Sequence, residues 1–167
     1  MSEMPQQDAA SAGQQNAPRL AVLTQYIKDL SFENPRAPQT LVQGQARPEI
    51  QIAVDVNVKQ IGQEQYEVVL DLKLNAKSGD TTVFVMELSY GSLFNIANIP
   101  DETMQAILLI ECPRLIFPFA RRIVADVTRD GGLPPLMLEP IDFVALYRNR
   151  LEQMQGQTAG EPPVGHA

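Results

Sequence analysis

The sequence predicts an α+β domain: a four-stranded antiparallel sheet of Greek-key type with helices packed on one face. Three observations carry that prediction. Four stretches between residues 20 and 90 alternate apolar and polar side chains with period two, the pattern of half-buried strands. Short glycine-bearing turns join the last three of them. From residue 100 onward the apolar spacing becomes helical.

The first stretch, 20–32, places Leu20, Val22, Thr24, Tyr26, Lys28, Leu30 and Phe32 at even positions, a broken stripe. The second, 50–58, sets Ile50, Ile52, Val54, Val56 and Val58 against Gln51, Ala53, Asp55 and Asn57. In the third, 66–76, Tyr66, Val68, Leu70, Leu72, Leu74 and Ala76 oppose Glu67, Asp71, Lys73 and Asn75. The fourth, 82–90, has Thr82, Phe84, Met86, Leu88 and Tyr90 on one face, with Val83, Val85, Glu87 and Ser89 on the other. Turns around Gly62 and Gly79 are short enough for antiparallel hairpins. The longer link 34–48 carries Pro35, Pro38 and Pro48; it suits a return across the sheet and not a helix.

Pro100-Asp101-Glu102 opens a helix, its acidic first turn meeting the positive end of the dipole. Met104, Ile107, Leu108 and Ile110 supply the apolar face, and Pro113 and Pro118 are expected to interrupt it. A second helical segment runs to about Arg129, where Gly131-Gly132 stops it. A last helix, about 140–153, presents Phe143, Leu146, Tyr147, Leu151 and Met154 at helical spacing. Residues 1–18 and 153–167 are small, polar and proline-containing. Such segments cannot offset their ordering entropy and are expected as disordered tails around one domain, 19–152.

Composition narrows the function. The chain of 167 residues is 44% hydrophobic, with no run approaching the ~20 apolar residues of a membrane span and no apolar leader at its start. Thirteen Lys/Arg against 20 Asp/Glu give net −7, which argues against nucleic acid or an anionic membrane and for a basic partner. The single cysteine, Cys112, excludes an intrachain disulfide and fits a reducing compartment. Together these point to the cytoplasm.

The catalytic inventory is thin. The one histidine, His166, stands next to the end of the expected tail, so no Ser-His or Cys-His pair can be assembled on the domain. One Cys and one His cannot make a zinc site. No phosphate-binding glycine motif occurs. Cys112 reads as a small buried hydrophobe, with a reactive thiol as the alternative. The sheet's second face includes Val69, Val83 and Val85: either everything packs into one core, or apolar surface is left for a partner. On an extended strand Asp29, Ser31 and Glu33 point the same way, Asp29 and Glu33 about 13 Å apart; Val85 and Glu87 share a face of the fourth strand.

Local motifs add a family. The segment 26–38, YIKDLSFENPRAP, resembles the opening motif of SecB, the bacterial protein-export chaperone family. So do RPEI at 47–50, YEVVL at 66–70, FVME at 84–87, GSLFNI at 91–96, CPRLIFPFAR at 112–121 and LEPIDF at 138–143 with Leu146-Tyr147 after it. The similarity runs in order over about 20–152. It implies an α+β subunit of a homotetramer, a dimer of dimers, that needs no ATP or other cofactor and no metal. Such a protein holds unfolded preproteins and passes them to SecA, the export motor. By the resemblance Asp29, Glu33, Val85 and Glu87 form the SecA-docking surface, with valine at 85 where the family has leucine. Phe84, Met86, Leu88 and Tyr90 match positions of subunit assembly; Ile50, Ile52, Val54, Tyr66, Val68 and Leu70 match client-binding positions. The family often has a tryptophan where this chain has Ala46. A small-ligand carrier and a purely structural self-assembling subunit are the alternatives.

Overall fold

A computed structural model describes residues 17–42 and 47–158. Strands β1 (Arg19–Glu33), β2 (Glu49–Gln60), β3 (Gln65–Ser78) and β4 (Thr81–Ala97) form one antiparallel sheet in the order β1-β4-β3-β2. The hairpin-joined run β2-β3-β4, with β1 returning beside β4, is the Greek-key arrangement expected. Gly79, at φ 59°, supplies the left-handed residue of the tight β3–β4 turn.

Directly paired residues share a face, so register fixes the two sides of the sheet. One row joins Val54, Leu72, Leu88 and Leu30; the next joins Val56, Leu70, Tyr90 and Ile27. This side carries the core: Val68, Leu70, Leu72, Met86 and Phe94 are closed off from solvent beneath the helices. Helix α2 (Cys112–Asp130) packs on β3 and β4. The helices thus occupy one face, as expected.

Strand β1 departs from strict alternation. Bulges at Leu23 and Lys28 shift the register twice. After the first, Thr24 and Tyr26 turn to the outer face; after the second, Leu30 and Phe32 return to the helix side. That is why the even stripe reads as broken, and Thr24, Tyr26 and Lys28 do not belong to it.

Strand β4 runs to Ala97 instead of stopping near residue 90. Gly91 lies in mid-strand because the Tyr26 ring from β1 covers it: a Cβ there would come within 2.7 Å of Tyr26 Cε2. Beyond it Ser92 is buried and donates to the Thr24 carbonyl at 2.9 Å, and Phe94 and Ile96 enter the core.

The helical region also differs. Helix α1 (Asp101–Ala106) passes through a π turn (Ile107–Glu111) straight into α2, without a break at Pro113. A proline clashes with the carbonyl four residues earlier; a widened π turn immediately before Pro113 relieves that contact and keeps the chain helical. Pro118 sits inside α2. Helix α3 (Phe143–Thr158) starts later than expected because Asp142 is its cap, Oδ1 accepting the Ala145 N–H at 3.0 Å. It continues to Thr158, taking in the first six residues of the segment read as a tail. The remainder of that segment, and residues 1–16 of the other, lie outside the described residues, as do Ala46 and His166. Cys112 is fully buried, and burial pushes its thiol up to about 12, so it is packing material and not a nucleophile.

Candidate functional site

The outer sheet face brings the four acidic-surface candidates together. Glu33 pairs with Val85, Ser31 with Glu87, and Asp29 with Ser89, placing direct neighbours about 5 Å apart. Asp29, Glu33 and Glu87 are exposed and Val85 is half-buried among them. Lys73 reaches Glu87 at 3.5 Å across the neighbouring strand. Among the described residues, Asp29 and Glu33 make no ion pair, so their charge is free to meet a cation from outside. A row further along, Asp71 accepts from Ser89 Oγ, and from Asn57 Nδ2 at 2.7 Å.

Tyr26 closes this surface at one end. Its hydroxyl donates to Glu67, which also takes Lys28 Nζ at 2.8 Å. The Lys28 and Tyr26 hydrogen bonds hold the Glu67 carboxyl below its usual range. Burial, then the hydrogen bond to Glu67, pushes the Tyr26 phenol from 10.0 up to about 12. A folded-state pKa raised above the unfolded one means stability present below pH 10 and lost as pH rises through about 12. Tyr26→Phe is expected to lower stability by about 1 kcal/mol at pH 9 through the lost hydrogen bond. That deficit shrinks toward zero by pH 12, read from urea midpoints of both proteins. Curves that stay parallel across this range would remove Tyr26 from the linkage.

The assembly and client candidates fare differently. Phe84, Met86, Leu88 and Tyr90 are 2%, 0%, 1% and 7% exposed on the helix side. Helices cover them within one protomer, so they are core residues and not a contact surface. Val68 and Leu70, both 0% exposed, leave the client surface for the same reason. Ile50, Val54 and Tyr66 keep partial exposure, and Ile52 stands 46% open. Val54 lines a hollow of about 380 Å³ between β2 and α3, where Arg150 Nη1 donates to the Val56 carbonyl at 2.8 Å. Besides Ile52, apolar surface stays open at Val22, Leu23, Ile27 and Leu30 on edge strand β1, and at Leu115 and Phe119 on α2, among others.

Sequence reasoning did not find a cleft of about 430 Å³ at one end of the sheet. Its walls come from the crossover segment between β1 and β2, the tip of the β3–β4 hairpin and the α2–α3 connection. Local packing fixes them. Phe32 stacks on Phe84 at 5.6 Å and leaves no room for a Cβ at Gly131, which would lie 2.5 Å from its ring. Asn34 Nδ2 donates to the Gly131 carbonyl at 3.2 Å, and Leu41 closes on Gly132, whose φ is 82°. Buried Thr128 accepts the Leu136 N–H at 2.9 Å and so ties the connection to α2. Val83, the bulge residue of β4, forms the cleft floor. Among the described residues no group of His, Cys, Asp and Glu could hold a metal ion, and no helix is long and apolar enough to cross a membrane.

Comparison with known proteins fits this geometry to a family. The family model described as "Preprotein translocase subunit SecB" matches residues 13–154. The chain belongs to the SecB family. It is 54% identical to the protein-export protein SecB of Paramagnetospirillum magneticum over 89% of this chain and 96% of that one. Identity to the Parvibaculum lavamentivorans SecB is 51%, covering 93% and 94%; to that of Maricaulis maris it is 49%, covering 99% and 96%. Among solved structures, a SecB-like chaperone from Mycobacterium tuberculosis, determined with an antitoxin-derived peptide, superposes with a TM-score of 0.62. At 19% identity, over 74% of this chain and 91% of that one, the match establishes a shared fold. This SecB chain is thus a protein-export chaperone of α+β architecture.

Proposed function

We propose that this SecB chain holds unfolded secretory precursors in the cytoplasm, without ATP, and delivers them to SecA as a homotetramer built as a dimer of dimers. The observation that carries the reading is the division of its surface. An open, partly apolar cleft and an acidic sheet face share no residue, so one can hold a client while the other meets a partner. Unfolded chains have in common exposed apolar side chains and unpaired backbone groups, and a cleft whose lining mixes apolar side chains (Leu41, Val42, Leu133) with polar ones (Gln39, Thr40, Ser78) can meet both. Contacts repeated over several subunits gain through effective concentration, so each can be weak. The exposed apolar residues of β1 and of α2 supply surface for the assembly. Asp29, Glu33, Val85 and Glu87 form the docking surface for SecA, and Ile50, Ile52, Val54 and Tyr66 extend client contact beyond the cleft.

The test is aggregation of an unfolded precursor followed by light scattering, with no nucleotide present. Stoichiometric addition of the chain is expected to slow aggregation several-fold. An unchanged rate would sink the holdase reading.

A further inference from the structure

We propose that Lys73 is a built-in competitor on the acidic sheet face: it holds Glu87 while the chain is on its own, and a basic side chain of the docking partner has to displace it. The inference rests on the docking reading of Asp29, Glu33, Val85 and Glu87, and adds a regulator to that surface. Among the described residues Asp29 and Glu33 have no ion pair, whereas Glu87 has Lys73 at 3.5 Å. Lys73 and Glu87 stand directly opposite each other on β3 and β4. The strand register itself therefore sets them about 5 Å apart at Cβ.

The pair is loose enough to be exchanged. Lys73 and Glu87 are 66% and 49% exposed, so water and salt compete with their attraction. A second lysine–carboxylate pair of the sheet is held more firmly. Lys28 meets Glu67 at 2.8 Å, Glu67 is only 17% exposed, and Tyr26 donates to the same carboxylate. Lys73 also has somewhere to go. A hollow of about 340 Å³ opens beside it, between the outer-face rows Gln51-Asn75-Val85 and Ala53-Lys73-Glu87. Ala53, opposite Lys73 on β2, presents only a methyl group and leaves that side open. Asn75, two residues along the same face, lines the hollow and has a buried side-chain oxygen without a hydrogen-bond partner. It lies about 6–7 Å from Lys73 along the strand, within the span of a lysine side chain. A partner's lysine or arginine can thus take the Glu87 carboxylate while Lys73 moves into the hollow. An acidic chain of net −7 attracts basic segments in general. A lysine already seated on Glu87 favours those that place a cation there well enough to outcompete it.

The experiment titrates purified SecA into the full chain by calorimetry at about 100 mM salt, where exposed charges still act over about 10 Å. Lys73→Gln and Lys73→Met, two neutral variants, are each expected to bind about threefold to fivefold more tightly, the affinity equivalent of one exposed ion pair. Lys77→Gln makes the same change in net charge at an exposed position about 13 Å further along β3, and should bind as the natural chain does. In a Glu87→Gln background no carboxylate is left to release, so adding Lys73→Gln should change affinity by less than about 1.5-fold. Unchanged thermal midpoint and subunit mass establish that the variants are folded and assembled alike. Failure of both Lys73 variants to gain affinity, an equal gain in Lys77→Gln, or a gain that persists beside Glu87→Gln overturns the competitor role. Docking at this face still stands in those cases so long as Glu87→Gln alone weakens SecA binding. Absence of SecA binding, or binding indifferent to Glu87→Gln, overturns both.

Discussion

Leu70→Ala and Leu88→Ala are each expected to lower unfolding stability by about 2–5 kcal/mol, a large share of the ~5–15 kcal/mol typical of a domain. Leu70 is 0% exposed and Leu88 1%, and they occupy adjacent rows of the sheet beneath the helices. Truncation leaves a cavity that close-packed neighbours cannot fill, which adds to the lost transfer energy. The measurement is urea unfolding by circular dichroism at fixed protein concentration. The outcome discriminates between two roles for the same side chains. If Leu70 were a client contact or Leu88 an assembly contact, truncation would reduce binding or subunit mass at unchanged protomer stability, and the assignment of both to the core would be wrong.

Those two leucines show where sequence reasoning reached and where it stopped. Period-two alternation reports which residues share a face, and the shared face of β2, β3 and β4 is as expected, with Leu70, Leu72 and Leu88 in register. Alternation says nothing about what covers that face. Helix α2 covers Phe84 to Tyr90, so residues suited to a subunit interface became interior. In β1 the information was present but encoded in its defects: the stripe breaks at Leu23 and Lys28, where bulges turn the strand over. The fourth stretch read as ending at residue 90, next to Gly91; in the structure the strand continues, and that glycine's missing side chain is the space that Tyr26 occupies. Pro113 read as a helix break, and a π turn absorbed it. The cleft was illegible for a different reason. Arg36, Arg47, Val83 and Leu133 are far apart in the chain, and only the crossover and the α2–α3 connection bring them to one place. The acidic surface lay in between. Asp29 and Glu33 on one side of β1, and Val85 and Glu87 on one side of β4, could each be read locally. Their adjacency required the pairing of β1 with β4, which family resemblance implied and period alone did not.

Reversing charge at that adjacency is expected to give the largest functional loss. The Asp29→Lys/Glu33→Lys/Glu87→Lys triple variant should bind SecA on the order of a hundredfold more weakly, about 1 kcal/mol for each exposed charge. The fold should tolerate it. All three residues are exposed, and the one ion pair lost, Lys73 with Glu87 at 3.5 Å, joins groups 66% and 49% exposed, worth about 0–1 kcal/mol. Asp80→Lys separates a local surface from bulk charge. It makes the same two-unit change as any one of the three reversals, but in the exposed β3–β4 turn. Titration calorimetry should therefore find affinity nearly unchanged in Asp80→Lys and reduced severalfold in Glu87→Lys alone, with subunit mass and thermal midpoint held in both. Equal losses in these two variants would mean that long-range attraction to an acidic assembly drives the encounter. Docking would then owe nothing particular to the row where Ser31 meets Glu87 and Glu33 meets Val85.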